Sequence, residues 1–281
     1  MNSLSLKKLQ LLELMTLLEF KRICDKHNLK YFLIGGTLLG AVRHNGFIPW
    51  DDDIDVGMFR SDFQKFLSIC PEELGSKWFL QTSDTDEGYA EVFAKIRLNG
   101  TEFRELVDEH VLTHTGIYID IFPFDNISHS KLLQKIWLFV LTPIERICHY
   151  KLNHKYPDTK NIMVLIYRLF CKSISYLIPK KNIFHIREVL LRKWESSPSK
   201  NFANWPSSII APVFYFSEYA HLQFEGFYFP VPKYYDEYLT LFYGDYMKIP
   251  PENERPSHSP YEPDFGEYTS INTLEDVLPK K

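Results

Sequence analysis

Four aspartates occupy the segment 51–55, interrupted only by Ile54. The stretch DIDVGMF, which begins at Asp53, alternates like a strand, so Asp53 and Asp55 are predicted to project from one face. Two neighbouring carboxylates repel each other unless a cation lies between them. Mg²⁺ prefers one or two carboxylates together with phosphate oxygens and water. The pattern therefore predicts a site for a metal and a phosphate.

A third carboxylate is predicted on another strand, the stretch GIYIDIFPF at residues 116–124. Isoleucines alternate to one face of this strand, which leaves Asp120 on the other face. An ionisable residue in so apolar a strand must be paired, bound to a ligand or protonated. We therefore predict Asp53, Asp55 and Asp120 as the catalytic metal ligands. The alternative role of Asp120 is to accept a proton from the substrate.

A glycine turn precedes the aspartates. Gly35 and Gly36 end a predicted strand, and Thr37 opens the next predicted helix. Glycine lets a phosphate approach the backbone, and a helix N-terminus presents free N–H groups, so these three residues are predicted to bind substrate phosphate. A solvated acidic turn is the alternative for the aspartates. A calcium loop is disfavoured because Val56 stands where that loop requires glycine.

Three basic residues are further substrate-binding candidates. Lys95 and Arg97 share one face of a predicted strand and are expected to bind the donor phosphates, the alternative being a solvated strand edge. Arg43 follows the first motif helix and is also a phosphate candidate. His44 is expected to have a surface or supporting role, and His258, in a proline-rich loop, no site role.

The longest motif, YFLIGGTLLGAVRHNGFIPWDDDIDVGM at residues 31–58, resembles the signature of the LicD family within the nucleotidyltransferase-fold superfamily. The resemblance continues through AKIR (94–97) and YIDIFPFD (118–125). It is sparser in FPVPKYYDEYLTLFYGDYM (229–247). Fukutin and fukutin-related protein look like distant relatives. The resemblance maps the glycine pair of the superfamily to Gly35 and Gly36, its paired metal carboxylates to Asp53 and Asp55, and its third carboxylate to Asp120.

The resemblance implies an Mg²⁺-dependent phosphotransferase, with Mn²⁺ as an alternative metal. Such an enzyme moves phosphocholine from CDP-choline to a hydroxyl of a cell-surface glycan, of teichoic acid or lipopolysaccharide type, and releases CMP. Transfer of ribitol phosphate or glycerol phosphate from the CDP-alditol is the alternative within the resemblance. Aromatic faces hold quaternary ammonium groups, but core packing is the preferred interpretation for aromatics such as Trp50, Tyr89, Tyr234 and Tyr235.

Two other classes of protein each explain part of the sequence. A glycosyltransferase with a DxD metal motif explains Asp53 and Asp55 but neither the Gly-Gly-Thr turn nor Asp120. A non-catalytic membrane-associated scaffold explains the basic helices, but carboxylates in apolar strands are costly without a ligand. The phosphotransferase is therefore the favoured hypothesis.

The order of the predicted elements indicates an α+β fold, a nucleotidyltransferase-like mixed β-sheet with flanking helices and a basic helical insertion. We predict a catalytic core over residues 1–128, the insertion over 129–203 and a C-terminal segment over 204–281 that packs back on the core. The insertion has 14 Lys and Arg against 4 Asp and Glu between His129 and Lys200, whereas the whole chain has a net charge of −4.

The charge balance gives no indication of nucleic-acid binding. Large apolar residues and basic residues mix at helical spacing in the insertion, which suggests docking on a membrane surface or on a lipid-linked glycan acceptor, with a solvated basic helical face as the alternative. No signal peptide or spanning run is recognisable, so the expected location is cytoplasmic, with the inner membrane face as a possible docking surface.

Overall fold

The structure is a computed structural model that describes residues 2–105, 109–156, 158–197, 199–205, 209–255 and 261–278. Its helices are α1 (Ser3–Lys26), α2 (Gly35–His44), α3 (Arg60–Glu73), α4 (Lys131–Lys151), α5 (Ile162–Leu177), α6 (Lys180–Leu191), α7 (Tyr235–Tyr243) and α8 (Leu274–Val277). Its strands are β1 (Phe32–Leu33), β2 (Asp55–Phe59), β3 (Trp78–Gln81), β4 (Ala94–Leu98), β5 (Tyr118–Ile127), β6 (Asn201–Asn204), β7 (Ile209–Pro212), β8 (Tyr219–Phe224) and β9 (Phe227–Pro232).

Seven strands form one mixed sheet in the order β1-β2-β5-β4-β3, with β6 and then β7 continuing from β5. β2 runs parallel to β5, and the remaining pairs of this sheet are antiparallel. β8 and β9 form a separate hairpin. The strand β5 lies at the centre and pairs with three neighbours. The predicted α+β fold with a mixed sheet and flanking helices is confirmed.

The helix α1 is buried on more than one face. Leu14 and Leu17 join the main apolar cluster under the sheet. Leu9 and Leu12 join a second cluster that includes Tyr268 from the C-terminal part of the chain. A helix covered on both sides can bury residues at positions that a simple amphipathic pattern assigns to solvent.

Two predicted boundaries are wrong. β2 begins at Asp55, not at Asp53, because β1 is only two residues long and pairs with Val56 and Gly57. Asp53 therefore lies in the irregular segment before the strand. The stretch SDFQKFLSICPEEL predicts a helix with Ser61 as its N-cap, but the chain turns from β2 directly into α3, which begins at Arg60.

The three basic helices α4, α5 and α6 lie between β5 and β6 in the chain, although these strands are neighbours in the sheet. Ile127, the last residue of β5, is paired with Asn201, the first residue of β6. The chain therefore leaves the sheet and returns to it at adjacent positions. The division into three segments at residues 128 and 203 stays a prediction.

The helices α4 and α5 expose much of their apolar surface. Phe139 on α4 is 81% exposed, and Leu169 and Phe170 on α5 are 67% and 59% exposed. Lys131, Lys135 and Lys172 are also exposed on these helices. In the part of the chain that the structure describes, no single helix meets the length and hydropathy of a membrane span, whereas α5 and α6, bent by 116°, meet them as a pair.

Candidate active site

The strands β2 and β5 bring two of the predicted aspartates side by side. In their parallel register Asp55 is directly opposite Asp120. The N–H of Asp120 donates to the carbonyl of Ile54 at 2.8 Å, which fixes this register. Asp53 lies in the segment that leads into β2. The arrangement places carboxylates from two separate parts of the sequence at the same end of two central strands.

Lys95 on β4 lies between two acidic residues. Its Nζ is 2.8 Å from Oδ1 of Asp120 and 3.1 Å from Oε1 of Glu105, and the side chain is 2% exposed. Burial opposes the charge of Lys95, but Asp120 and Glu105 raise its pKa overall. Burial raises the pKa of Asp120 although Lys95 opposes this shift. The alternative of a solvated strand edge is therefore wrong for Lys95, whereas phosphate binding stays a prediction.

The glycine turn contacts the aspartate segment. The N–H of Asp55 donates to Oγ1 of Thr37 at 2.8 Å. A Cβ atom at Gly35 would lie 2.6 Å from Oδ2 of Asp55, and one at Gly36 would lie 2.7 Å from Oδ2 of Asp51. Gly35 also has a φ of +54°, which side-chain-bearing residues rarely adopt. Both glycines are therefore required for the carboxylates to approach the N-terminus of α2. Phosphate binding by Gly35, Gly36 and Thr37 stays a prediction.

Glu13 on α1 is a candidate functional residue that the sequence did not indicate. One turn earlier, Gln10 donates to the carbonyl of Asp51 at 3.0 Å and fixes α1 against the aspartate segment. Glu13 is 1% exposed, and neither of its carboxylate oxygens has a hydrogen-bond partner among the residues that the structure describes. Burial, followed by the charges of Asp53 and Asp52, raises the pKa of Glu13 well above its ordinary value. A buried carboxyl group without a partner fits a site that receives a cation.

A cavity of about 220 Å³ opens beside Asp55. It is lined by Ile34, Gly35, Asp55, Phe122, Asn204, Tyr238 and Phe242. These residues come from the junction of β1 and α2, from the start of β2, from β5 and β6, and from α7. The sequence after Asn204 predicts only short elements joined by turns, so neither α7 nor the aromatic lining was predicted. None of the four aromatics singled out from the sequence lines this cavity.

The other predicted basic residues are held by nearby carbonyl groups. A guanidinium N–H of Arg97 donates to the carbonyl of Gly116 at 2.8 Å, and Arg97 is 1% exposed, so a solvated edge is wrong here too. A guanidinium N–H of Arg43 donates to the carbonyl of Tyr246 at 2.8 Å. Phosphate binding by Arg43 and Arg97 stays a prediction. His258 lies outside the described residues.

A second cluster of possible metal ligands contains Glu91, Glu145 and His149, whose ligand atoms lie within 4.8 Å of one another. Nε2 of His149 is 3.3 Å from Oε1 of Glu91. The guanidinium of Arg187 on α6 is 3.4 Å from Oε1 of Glu145 and also donates to the carbonyls of Ala90 and Glu91. With a buried guanidinium already beside its carboxylates, this cluster serves to fasten α4 and α6 to the core.

The aspartate site fits a divalent metal better. Its donors are hard carboxylate oxygens, which Mg²⁺ and Mn²⁺ prefer. Asp55 and Asp120 are in register on adjacent strands, and the buried oxygens of Glu13 have no partner in the described structure. Asp53, Asp55 and Asp120 are the residues that would hold the metal, with Glu13 beside them.

Comparison with known proteins shows similarity to a family of transferases. Residues 28–146 match the family described as LicD/FKTN/FKRP, nucleotidyltransferase domain. The chain is 29% identical over 270 residues to lipopolysaccharide cholinephosphotransferase LicD of Haemophilus influenzae, covering 92% of this chain and 97% of that protein. It is 39% identical over 54 residues to human ribitol 5-phosphate transferase FKRP, covering 19% of this chain and 11% of that protein.

The family match includes β1, β2 and β5, and with them the aspartate segment, the glycine turn and Asp120. Both of these relatives are transferases of phosphate-bearing groups by name. Residues 28–146 are thus similar to the LicD/FKTN/FKRP nucleotidyltransferase domain, and nearly the whole chain is similar to a lipopolysaccharide cholinephosphotransferase.

Proposed function

We propose that the protein is an Mg²⁺-dependent phosphotransferase that moves phosphocholine from CDP-choline to a hydroxyl of a cell-surface glycan and releases CMP. The pairing of Asp55 with Asp120, with Asp53 in the segment before β2, carries this proposal, because a divalent cation can offset the repulsion among three carboxylates that Lys95 offsets only at Asp120. The similarity to a lipopolysaccharide cholinephosphotransferase over nearly the whole chain supports phosphocholine and an acceptor of lipopolysaccharide type. Teichoic acid is the alternative acceptor, and Mn²⁺ the alternative metal.

The residues of the site have separate roles in this proposal. Asp53, Asp55 and Asp120 hold the metal, which when bound neutralises the charge that develops on the transferred phosphorus and on CMP. The first turn of α2 directs free N–H groups to a donor phosphate, since these groups have no partner within the helix. The acceptor oxygen forms the new bond to phosphorus while the bond to the CMP oxygen breaks, and the proton of the acceptor hydroxyl passes to solvent. In an alternative arrangement Asp120 accepts the proton of the acceptor hydroxyl.

A panel of donors tests the proposal by thermal unfolding. With Mg²⁺ present, CDP-choline at 100 times its Kd is expected to stabilise the protein by about 2.7 kcal/mol, because it binds only the folded state. CDP-ribitol, CDP-glycerol and a UDP-sugar are expected to raise the Tm much less. The matched control repeats each measurement with EDTA in place of Mg²⁺, which is expected to reduce the shift.

Two outcomes of the panel would contradict the proposal. A rise in Tm with the UDP-sugar alone would favour the glycosyltransferase class. A rise with CDP-ribitol that equals or exceeds the rise with CDP-choline would favour the activity named for the human relative.

We also propose that α4 and α5 dock on an anionic membrane surface at the cytoplasmic face, where a lipid-linked acceptor would be presented. The support is the exposed apolar surface of these helices next to exposed lysines. An apolar helix face bordered by basic residues is typical of helices that lie in a membrane interface. The basic side chains would reach the anionic head groups while the apolar side chains enter the acyl boundary.

Flotation with vesicles that contain phosphatidylglycerol tests this docking. The double variant Leu169→Ser and Phe170→Ser is expected to lower vesicle binding about tenfold or more, since full burial of each such side chain contributes about 1.5–3 kcal/mol. Leu112, which is 96% exposed outside these helices, provides the control Leu112→Ser, expected to bind like the wild type. Absence of wild-type binding at low salt would refute the docking.

A further inference from the structure

We propose that the 220 Å³ cavity beside Asp55 binds the trimethylammonium group of the transferred phosphocholine. The inference rests on the proposed function and adds the residues that recognise the transferred group. It concerns Phe122, Tyr238 and Phe242, to which the sequence assigned no role.

The position of the cavity suits the group attached to the reacting phosphorus. Asp55, a proposed metal ligand, forms part of its wall, and so does Gly35 at the N-terminus of α2. Phe122 follows Asp120 by two residues on β5, so both side chains are on the same face of the sheet. A phosphate between the aspartates and α2 would therefore direct its substituent into this cavity.

The size of the cavity favours a small group. Pockets that enclose a drug-sized ligand usually measure about 300–1,000 Å³, so 220 Å³ accommodates only part of a nucleotide-activated donor. The cytidine is therefore expected to bind outside this cavity. The choline carried by the second phosphate is the part of the donor that fits inside it.

The lining favours a cation without hydrogen-bond donors. Tyr238 and Phe242 are four residues apart on α7 and therefore lie on one side of that helix. With Phe122 they supply three aromatic rings, and the faces of such rings attract quaternary ammonium groups. Asp55 adds a negative charge, and no Lys or Arg is among the described residues that line the cavity.

The same lining disfavours an alditol. Each hydroxyl of a buried ribitol needs a hydrogen-bond partner, and an unpaired one is costly. Among the described residues of the wall, the polar side chains are those of Asp55, Asn204 and Tyr238, whereas Ile34, Phe122 and Phe242 offer only apolar surface. Because its described wall offers few hydrogen-bond partners, the cavity favours choline over ribitol.

A pair of substitutions at Phe242 tests the inference by calorimetric binding in Mg²⁺ buffer. Phe242→Leu keeps the apolar character but removes the ring, and is expected to weaken CDP-choline binding about tenfold. Phe242→Tyr keeps the ring and is expected to retain the wild-type affinity. CMP, which lacks choline, is expected to bind both variants and the wild type within twofold. Phe214→Leu, at an aromatic that is 53% exposed and outside the cavity, is the matched control.

The outcomes separate this inference from the proposed function. Equal loss of CMP and CDP-choline affinity in Phe242→Leu, or no loss of either, would overturn the choline site whether or not phosphate is transferred. Selective loss of CDP-choline affinity would support it even if the wild type released no CMP, and that combination would overturn the proposed transfer alone.

Discussion

The substitution Asp55→Asn is expected to lower CMP release from CDP-choline by at least about 10²–10³-fold, the loss typical when one electrostatic group is removed from an active site. The side chain keeps its shape but loses the charge that binds the metal. The fold should persist, because the N–H of Asp55 still donates to Thr37 and the strand register with Asp120 is unchanged. The measurement is the initial rate of CMP release with a choline-free glycan acceptor.

A second readout distinguishes metal binding from general damage at Asp55. The wild type is expected to gain thermal stability on addition of Mg²⁺, and the Asp55→Asn variant is expected to lose this gain while it unfolds cooperatively. Asp25→Asn removes an exposed charge at the end of α1 and is expected to leave CMP release within twofold. Retention of CMP release within a few-fold in Asp55→Asn would refute the assigned role.

The substitution Arg60→Met is expected to have the largest effect on stability, a loss of about 3–5 kcal/mol in the free energy of unfolding. Arg60 and Asp125 form a bidentate pair at 2.7 and 2.6 Å that joins the start of α3 to β5. Both side chains are nearly buried, at 6% and 4% exposure. Removing the arginine leaves a buried carboxylate without its cation, which costs more than the pair itself contributes.

Urea unfolding at pH 7 measures this loss, and a double variant tests its cause. Arg60→Met combined with Asp125→Leu is expected to recover most of the lost stability, since an apolar pair of similar volume often replaces a buried ion pair without penalty. Lys21→Met breaks an exposed ion pair with Asp25 and is expected to cost less than about 1 kcal/mol. A double variant as unstable as Arg60→Met would contradict the explanation.

Strand alternation explains why much of the site could be predicted. Because side chains alternate on a strand, the isoleucines around Asp120 indicated that its carboxylate would leave the core, and β2 and β5 are adjacent as that reasoning required. The strand predicted to begin at Asp53 begins at Asp55 instead, before which β1 offers no further pairing. The local sequence pattern was sufficient to predict a site residue wherever strand alternation alone determines the face on which its side chain lies.

Glu13 and the aromatic cavity were missed because distant parts of the chain create them. In α1 the glutamate occupies a position that reads as solvent-exposed, and it is buried because the aspartate segment lies against this part of the helix. For α7, the four-residue spacing of Tyr238 and Phe242 after an acidic first turn was a usable helix signal. No local sequence pattern indicated that Tyr238 and Phe242 would lie near Phe122, because these residues are more than 100 positions apart in the chain.

The pairing of Ile127 with Asn201 has a consequence for how such enzymes diversify. Because the three basic helices are inserted where two adjacent strands would otherwise be joined by a turn, they can be shortened, lengthened or exchanged without shifting the register of β5. Asp120, nearer the other end of that strand, would keep its neighbours on β2 and β4. The topology of the sheet therefore allows these helices to vary in evolution while the aspartate site stays unchanged.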